Sequence, residues 1–185
     1  MGGYPADLDE VEGGIDVTRV CPAELAAQRT MLFGGQMAIV LPKGVELVEA
    51  TPSFARSKSR HQVSTCEALV TFVGVGYFAS DPSKPIDVVR DELVTKARAF
   101  SNPVTWTDER REANEYRGVY EVPESATGDW PVQGRALVRR HKDITVWVLF
   151  EAHPNAWNAI KLSLRAASEQ LVRVAPPTVR SGKQP

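Results

Sequence analysis

Two stretches of this chain would be apolar on both sides of a β-strand, and that restricts the fold more than any other feature. In EALVTFVGVGYFA, residues 67–79, one face would carry Ala68, Val70, Phe72, Gly74, Gly76 and Phe78, and the other Leu69, Thr71, Val73, Val75 and Tyr77. In ITVWVLFE, residues 144–151, the faces are Ile144, Val146, Val148 and Phe150 against Trp147 and Leu149. Side chains alternate along a strand, so a strand apolar on both faces needs cover on both. Two segments can supply it. Ile86, Val89, Leu93, Ala97 and Phe100 recur at helical spacing, as do Trp157, Ile160, Leu164, Ala167, Leu171 and Val174, and each set makes one apolar stripe. The pattern predicts a sheet held between two helices.

The connections fix the strand direction. Between VTWTDER, EYRGVYEV, VQGRALVRRH and ITVWVLFE lie Ser125 to Pro131 and the pair Lys142-Asp143, too short for helical crossovers, so these strands are expected to be antiparallel neighbours. DPSKP reads as helix entry, with Pro85 at the first helical position and Asp87 at the positive helix end; Ser101-Asn102-Pro103 reads as its stop. Earlier, QMAIVLPKGVELVEA gives two short strands divided by Pro42, Lys43 and Gly44, followed by a basic, Ser-rich loop, SFARSKSRHQ. His153-Pro154-Asn155 reads as a strand-to-helix corner, with Pro154 ending the strand and Asn155 capping the helix. His153 is then punctuation, because a general base needs an orienting partner that the sequence does not mark. The expected class is α+β: an antiparallel sheet of about six to seven strands flanked by helices on both faces, ending in a long C-terminal helix. Residues 31–175 form the single domain, between an acidic, Gly-rich segment at 1–30, weakly helical in PAELAAQR, and a Pro-rich tail at 176–185.

Charge removes several functions. With 22 basic and 23 acidic side chains the net charge is -1, so no bulk field draws the protein to nucleic acid or an anionic membrane. No apolar run reaches the eighteen or so residues of a transmembrane helix, and no charged-then-apolar secretion signal is read at the start. Cys21 and Cys66 are too few to close a zinc site; they make one disulfide or two reduced thiols. His61, His141 and His153 each lie in or beside a turn, without HxH or HExxH pairing, so no metal or cofactor is expected. No GxSxG elbow is present, and GVG at 74–76 lacks the third glycine and following helix of a dinucleotide loop; it marks a bend or a close helix approach. An enzyme is not expected. Two groups of residues are candidates for binding. Arg56, Lys58 and Arg60 in the early loop and Arg139 and Arg140 in the late hairpin would form a cationic patch if the fold joined them, and two solvated turns if it did not. Trp130, in the turn GDWP near Tyr116 or Tyr120, is a candidate contact anchor, against the simpler account that it packs its own turn.

The opening MAIVLPKGVEL, the late QGRALVRRHKDITVWVLFEAHPNAW and the amphipathic last helix resemble the PsbP-like family, over roughly residues 31–174. That family includes the PsbP subunit of photosystem II, a Ran-binding import factor, LpqN-type lipoproteins and EagR-type chaperones. The resemblance implies an antiparallel sheet between helices that binds other proteins and has no shared enzymatic site. It makes a non-catalytic protein-binding domain the leading expectation, bacterial and outside the cytoplasm, periplasmic or lipoprotein-derived, with a cytoplasmic location as the alternative. Two other functions are carried beside it: an EagR-type chaperone for apolar helices, which needs an uncovered groove, and a carrier of a small apolar ligand, which needs a cavity lined by Phe72, Val148 and Leu164.

Overall fold

The computed structural model describes residues 23–58, 61–62, 69–100, 104–127 and 131–174. Cys21, Cys66, Arg60, Trp130 and the Ser101-Asn102-Pro103 stop lie outside the described residues, so the disulfide and the Trp130 anchor are not placed.

The elements, in chain order, are β1 (Thr30–Leu32), β2 (Met37–Ile39), β3 (Leu47–Thr51), β4 (Phe54–Ser57), β5 (His61–Gln62), β6 (Leu69–Ala79), α1 (Ile86–Arg98), β7 (Thr105–Glu112), β8 (Glu115–Val122), α2 (Glu124–Thr127), β9 (Val132–Arg140), β10 (Ile144–Ala152), α3 (Pro154–Glu169) and β11 (Val172–Arg173). Seven strands form the main sheet in the order β3-β4-β6-β10-β9-β8-β7, with β5 also pairing β6. A second sheet has the order β1-β2-β11. Every pairing is antiparallel. The two strands that read as apolar on both faces, β6 and β10, lie side by side in the interior of the sheet.

Alternation along β10 sends Val146, Val148 and Phe150 into a core with Trp157, Ile160 and Leu164 of α3, and Trp147 and Leu149 into a second core with Val89, Leu93 and Val94 of α1. The small sheet joins α3 on its face, contributing Leu32, Met37 and Ile39 to the same core. The predicted helix, sheet, helix sandwich is thus the observed one.

Local departures have local causes. The first part of SFARSKSRHQ is a strand: Phe54, Ala55 and Arg56 pair with Gly76, Val75 and Gly74, and the alternation of β4 buries Ala55 completely. The two strands of QMAIVLPKGVELVEA form, but one enters each sheet. Packing begins before residue 31: Ala23 is buried, Ser163 Oγ donates to its carbonyl at 2.6 Å, and Ala26 N–H donates to Leu41 O at 2.8 Å, which holds this stretch extended where PAELAAQR suggested helix. Pro85 stands just outside α1, its carbonyl accepting from Val89 N–H at 3.2 Å. The helix ends at Arg98 because Ala99 takes a left-handed conformation, φ 50°, and its N–H donates to Thr95 O. The turn after β8 contains the short helix α2. α3 stops short of Val174 because Val172 and Arg173 are taken up by β2 and Val174 N–H donates to Gln36 O at 2.8 Å, extended pairing that suits the β-branched Val172 and Val174.

The corner at 153–155 is built differently from the expectation. His153, not Asn155, is the N-cap, and its Nδ1 accepts from the Asn155 N–H at 3.2 Å, with Pro154 at the first helical position. Burial lowers the pKa of this imidazole below its ordinary value. A lowered folded pKa means full stability above the unfolded value near 6.5, lost as pH falls from there through the folded pKa. His153→Ala is expected to cost about 1 kcal/mol at neutral pH, the usual worth of a cap. Chemical denaturation between pH 7.5 and 5 should show the wild-type advantage shrinking as pH falls, with His153→Asn keeping it across the range.

Candidate functional site

α1 runs over β8 and β9 and leaves a cleft between itself and the β4–β6 side of the sheet, with a volume of about 390 Å3. Its floor is aromatic. Trp147 is nearly buried and stacks on Phe54, ring centroids 5.6 Å apart and planes inclined by 27°. Val89 and Leu93 of α1 form one wall and Phe78, 37% exposed, the other.

The floor depends on Gly76. Phe54, Gly76 and Trp147 are direct cross-strand partners, so their side chains share a face, and the indole lies over the glycine. A Cβ there would stand 2.6 Å from Ser53 O and 2.7 Å from the Trp147 ring. GVG therefore marks the close approach of an aromatic ring rather than of a helix.

The rim is charged and largely paired. Lys84 Nζ donates to Glu92 Oε1 at 2.8 Å and Oε2 at 2.9 Å, an interaction that holds the lysine above and the carboxyl below their ordinary pKa values. Asp81 Oδ1 accepts from the Ser83 hydroxyl at 2.5 Å and the Ser83 N–H at 3.0 Å, and these bonds, the hydroxyl first, lower its pKa. Arg140 fixes the rim by donating to Lys84 O at 2.7 Å. Lys96, exposed at the mouth, makes no ion pair among the described residues. Such a cleft suits an apolar group with an acidic neighbour.

A second polar cluster is buried on the same face. Glu151 is fully buried; Arg98 Nε donates to both its oxygens at 2.9 Å, and Tyr120 Oη donates to Oε1 at 2.6 Å. Burial raises the Glu151 pKa against the opposing pull of Arg98, and burial followed by the Glu151 charge raises Tyr120 well above its ordinary value. Nearby, Arg90 lies over two rings, 4.3 Å from that of Trp106 and 4.5 Å from that of Tyr116, whose hydroxyl burial pushes up to about 12. Asp91 ties the pair together, with Arg90 donating at 2.8 Å and Trp106 Nε1 at 3.1 Å. Apart from the Tyr116 hydroxyl, which is buried without a hydrogen-bond partner among the described residues, these groups satisfy one another and clamp α1 to the sheet.

The sequence candidates do not converge. Arg139 and Arg140 are consecutive in β9 and so face opposite ways: Arg139 donates to Leu171 O at 3.0 Å on the α3 side and to Glu115 at 2.6 Å, whereas Arg140 reaches the α1 side. Arg56 shares the α1 face with Phe54 but lies three strands away from β9, at a spacing of about 4.8 Å each. Lys58 is paired with Glu46 at 3.0 Å. No joint cationic patch forms among the described candidates: Arg56, Arg139 and Arg140 are strand residues, and Lys58 lies exposed just past the end of β4. Of the described tryptophans, Trp147 and Trp157 are both 5% exposed, as their periodicity predicted. Phe72, Val148 and Leu164 do not line a common cavity: Phe72 belongs to the α1-side core, and the other two are wholly buried in the α3-side core. Among the described residues no group of three or more His, Cys, Asp or Glu is placed to hold a metal, and no helix is long and apolar enough to cross a membrane.

The cleft was missed because no motif marks it; the signal was Phe54 inside a stretch taken for a basic loop. Glu151 could have been found: a lone acid in a strand apolar on both faces demands a buried partner.

Neither a protein-family model nor a curated protein matches the chain. Among solved structures, a protein from Bacteroides thetaiotaomicron VPI-5482 aligns at a TM-score of 0.48 and 9% identity over 80% of this chain and 48% of its own, so the chain spans about half that protein's length. A protein of unknown function from Pseudomonas aeruginosa aligns at 0.44 and 10% identity, over 84% of this chain and 99% of that one. Cyanobacterial PsbP (CyanoP) from Synechocystis sp. PCC 6803 aligns at 0.51 and 15% identity, over 94% of this chain and 99% of that one. The chain has the PsbP-like α+β fold.

Proposed function

We propose that this chain is a non-catalytic protein-binding domain that docks its partner at the α1 cleft, taking in a bulky apolar side chain flanked by an acidic residue. The observation that carries this is the cleft itself: a floor of Phe54 and Trp147, a wall of Phe78, and at its mouth Lys96, without an ion pair among the described residues. Apolar anchors seated in such pockets dominate protein interfaces, and Lys96 supplies charge complementarity to an acidic neighbour. A volume of about 390 Å3 suits a short segment. A helix about 10–12 Å across would not enter it, which speaks against the chaperone alternative in this cleft. The setting proposed with this function is bacterial and extracytoplasmic, in line with the resemblance to LpqN-type lipoproteins.

A photo-crosslinking residue at Phe78, in the native cells, is expected to give one discrete protein adduct, and the same residue at the distant Lys43 none. Ala97→Trp, which fills the cleft from α1, should abolish the adduct while leaving the circular dichroism and melting temperature near wild type. An adduct that survives the filled cleft, or no adduct at Phe78, rules the reading out. A carrier of a small apolar molecule would instead retain a nonprotein mass in native mass spectrometry, lost on Ala97→Trp.

A further inference from the structure

On the opposite face, α3 and the strands β7, β8 and β9 enclose a second pocket of about 310 Å3. It is built for negative charge. Arg135 lies at its base, 6% exposed, with Nε donating to Ser168 Oγ at 3.1 Å; Lys161 and Arg165 project from successive turns of α3 at its mouth. Against these three cations the lining holds one acid, Asp108. Glu169, outside the lining, pairs with Arg135 at 3.5 Å but is shared with Arg117 at 3.2 Å, so it offsets only part of this charge. Among the described residues Arg165 makes no ion pair, and Lys161 makes only a hydrogen bond to Asn158 at 3.0 Å. In a protein whose net charge is -1, this is a local concentration of positive charge. Burial lowers the Arg135 pKa against the opposing pull of Glu169, and the Arg165 charge adds to the lowering, a crowding that an anion would relieve.

The opposite wall carries an independent mark. The β7–β8 register breaks between Thr107 and Arg110, and Asp108 within the break has φ 47°, a left-handed backbone that an aspartate tolerates better than most residues but that still costs energy. Strand bulges of this kind re-aim a side chain, and this one sets Asp108 in the pocket wall, near enough for its charge to act on Arg135.

We propose that this pocket binds the phosphate of a small hydroxylated phosphomonoester. The guanidinium groups and Lys161 hold the phosphate, Arg135 as a desolvated donor at the base. Asp108 accepts from a hydroxyl beside it and repels a second phosphate. Trp157 and Val119 give the carbon skeleton an apolar wall.

The test is a titration of the full chain followed by amide and indole NMR shifts, with inorganic phosphate, glycerol 3-phosphate and acetate as probes at constant ionic strength. Saturable shifts at the Trp157 indole and the α3 amides are expected with phosphate, larger affinity with glycerol 3-phosphate, and none with acetate. The variant Lys161→Ala/Arg165→Ala, both exposed positions on α3, should weaken phosphate binding by about tenfold or more, as loss of charge-assisted hydrogen bonds implies. Arg56→Ala, on the other face, should leave it unchanged, and Asp108→Asn should narrow the preference for glycerol 3-phosphate. Acetate binding as tightly as phosphate, no saturation by either phosphate probe, or equal weakening by Arg56→Ala each overturns the proposal.

Discussion

Gly134→Ala is expected to destabilise the fold by about 3 kcal/mol or more, at the upper end of the cost of overpacking a core. Gly134 in β9 is the direct cross-strand partner of Tyr120 in β8, and the phenol ring lies flat on it. An added Cβ would stand 2.2 Å from Tyr120 Cζ. The ring has no way to yield: it is fully buried, its hydroxyl is held by Glu151 at 2.6 Å, and its edge meets Trp106 with centroids 5.2 Å apart. Urea denaturation measures the loss. If the collision is the cause, Tyr120→Leu, which removes the ring, must make the alanine at 134 cheaper in the double variant than in the wild-type background. Additive effects would show that the destabilisation comes from the strand backbone instead.

Glu151→Ala should have a comparable effect, about 3 kcal/mol, because it strips the partner from a partly buried hydrogen-bonded charge and leaves a void. Arg98 then loses both carboxylate contacts, and Tyr120 loses its acceptor. Glu151→Gln, which keeps an acceptor for Tyr120, should cost less. The pH dependence separates charge from packing. The folded pKa of Glu151 is raised, chiefly by burial, so the folded state holds a proton more tightly than the unfolded chain does. The contribution linked to that shift is fully present below the unfolded value near 4.5, and it is lost as pH rises through the folded value. The stability of wild type relative to Glu151→Gln should accordingly fall as pH rises from 4.5; a flat difference would show that the carboxyl ionises as freely in the fold as outside it.

The layered architecture was legible because it rests on periodicity. β6 and β10 are apolar at successive positions, the helices at every third or fourth, and the antiparallel order follows from short connections. What was not legible depends on pairings that periodicity does not encode. Arg139 and Arg140 looked like one charge cluster, yet adjacent residues in a strand point to opposite faces, and β9 continues far enough to separate them. SFARSKSRHQ was read by its charges, whereas Phe54 and Ala55 carry its structure by packing on either face of β4. The glycines looked like breaks in a strand. Their role is set by the ring opposite: Trp147 over Gly76 and Tyr120 over Gly134. His153 was taken for a spacer because histidine is an uncommon cap, and its Nδ1 does the work assigned to Asn155. Both pockets arise where a helix leaves part of the sheet open, a matter of tilt and length that sequence spacing does not report.

β7 bounds the sheet with the sequence TWTDERRE, every residue but Trp106 exposed, acids and bases interleaved, and a register break in the middle. A flat row of unpaired amides and carbonyls would recruit strands from other chains. Here any incoming strand would have to desolvate Asp108, Glu109, Arg110, Arg111 and Glu112 and follow a backbone that bends out of register. The same bulge that lines the anion pocket thus keeps this margin solitary, so that crowding or partial unfolding extends the sheet no further on that side.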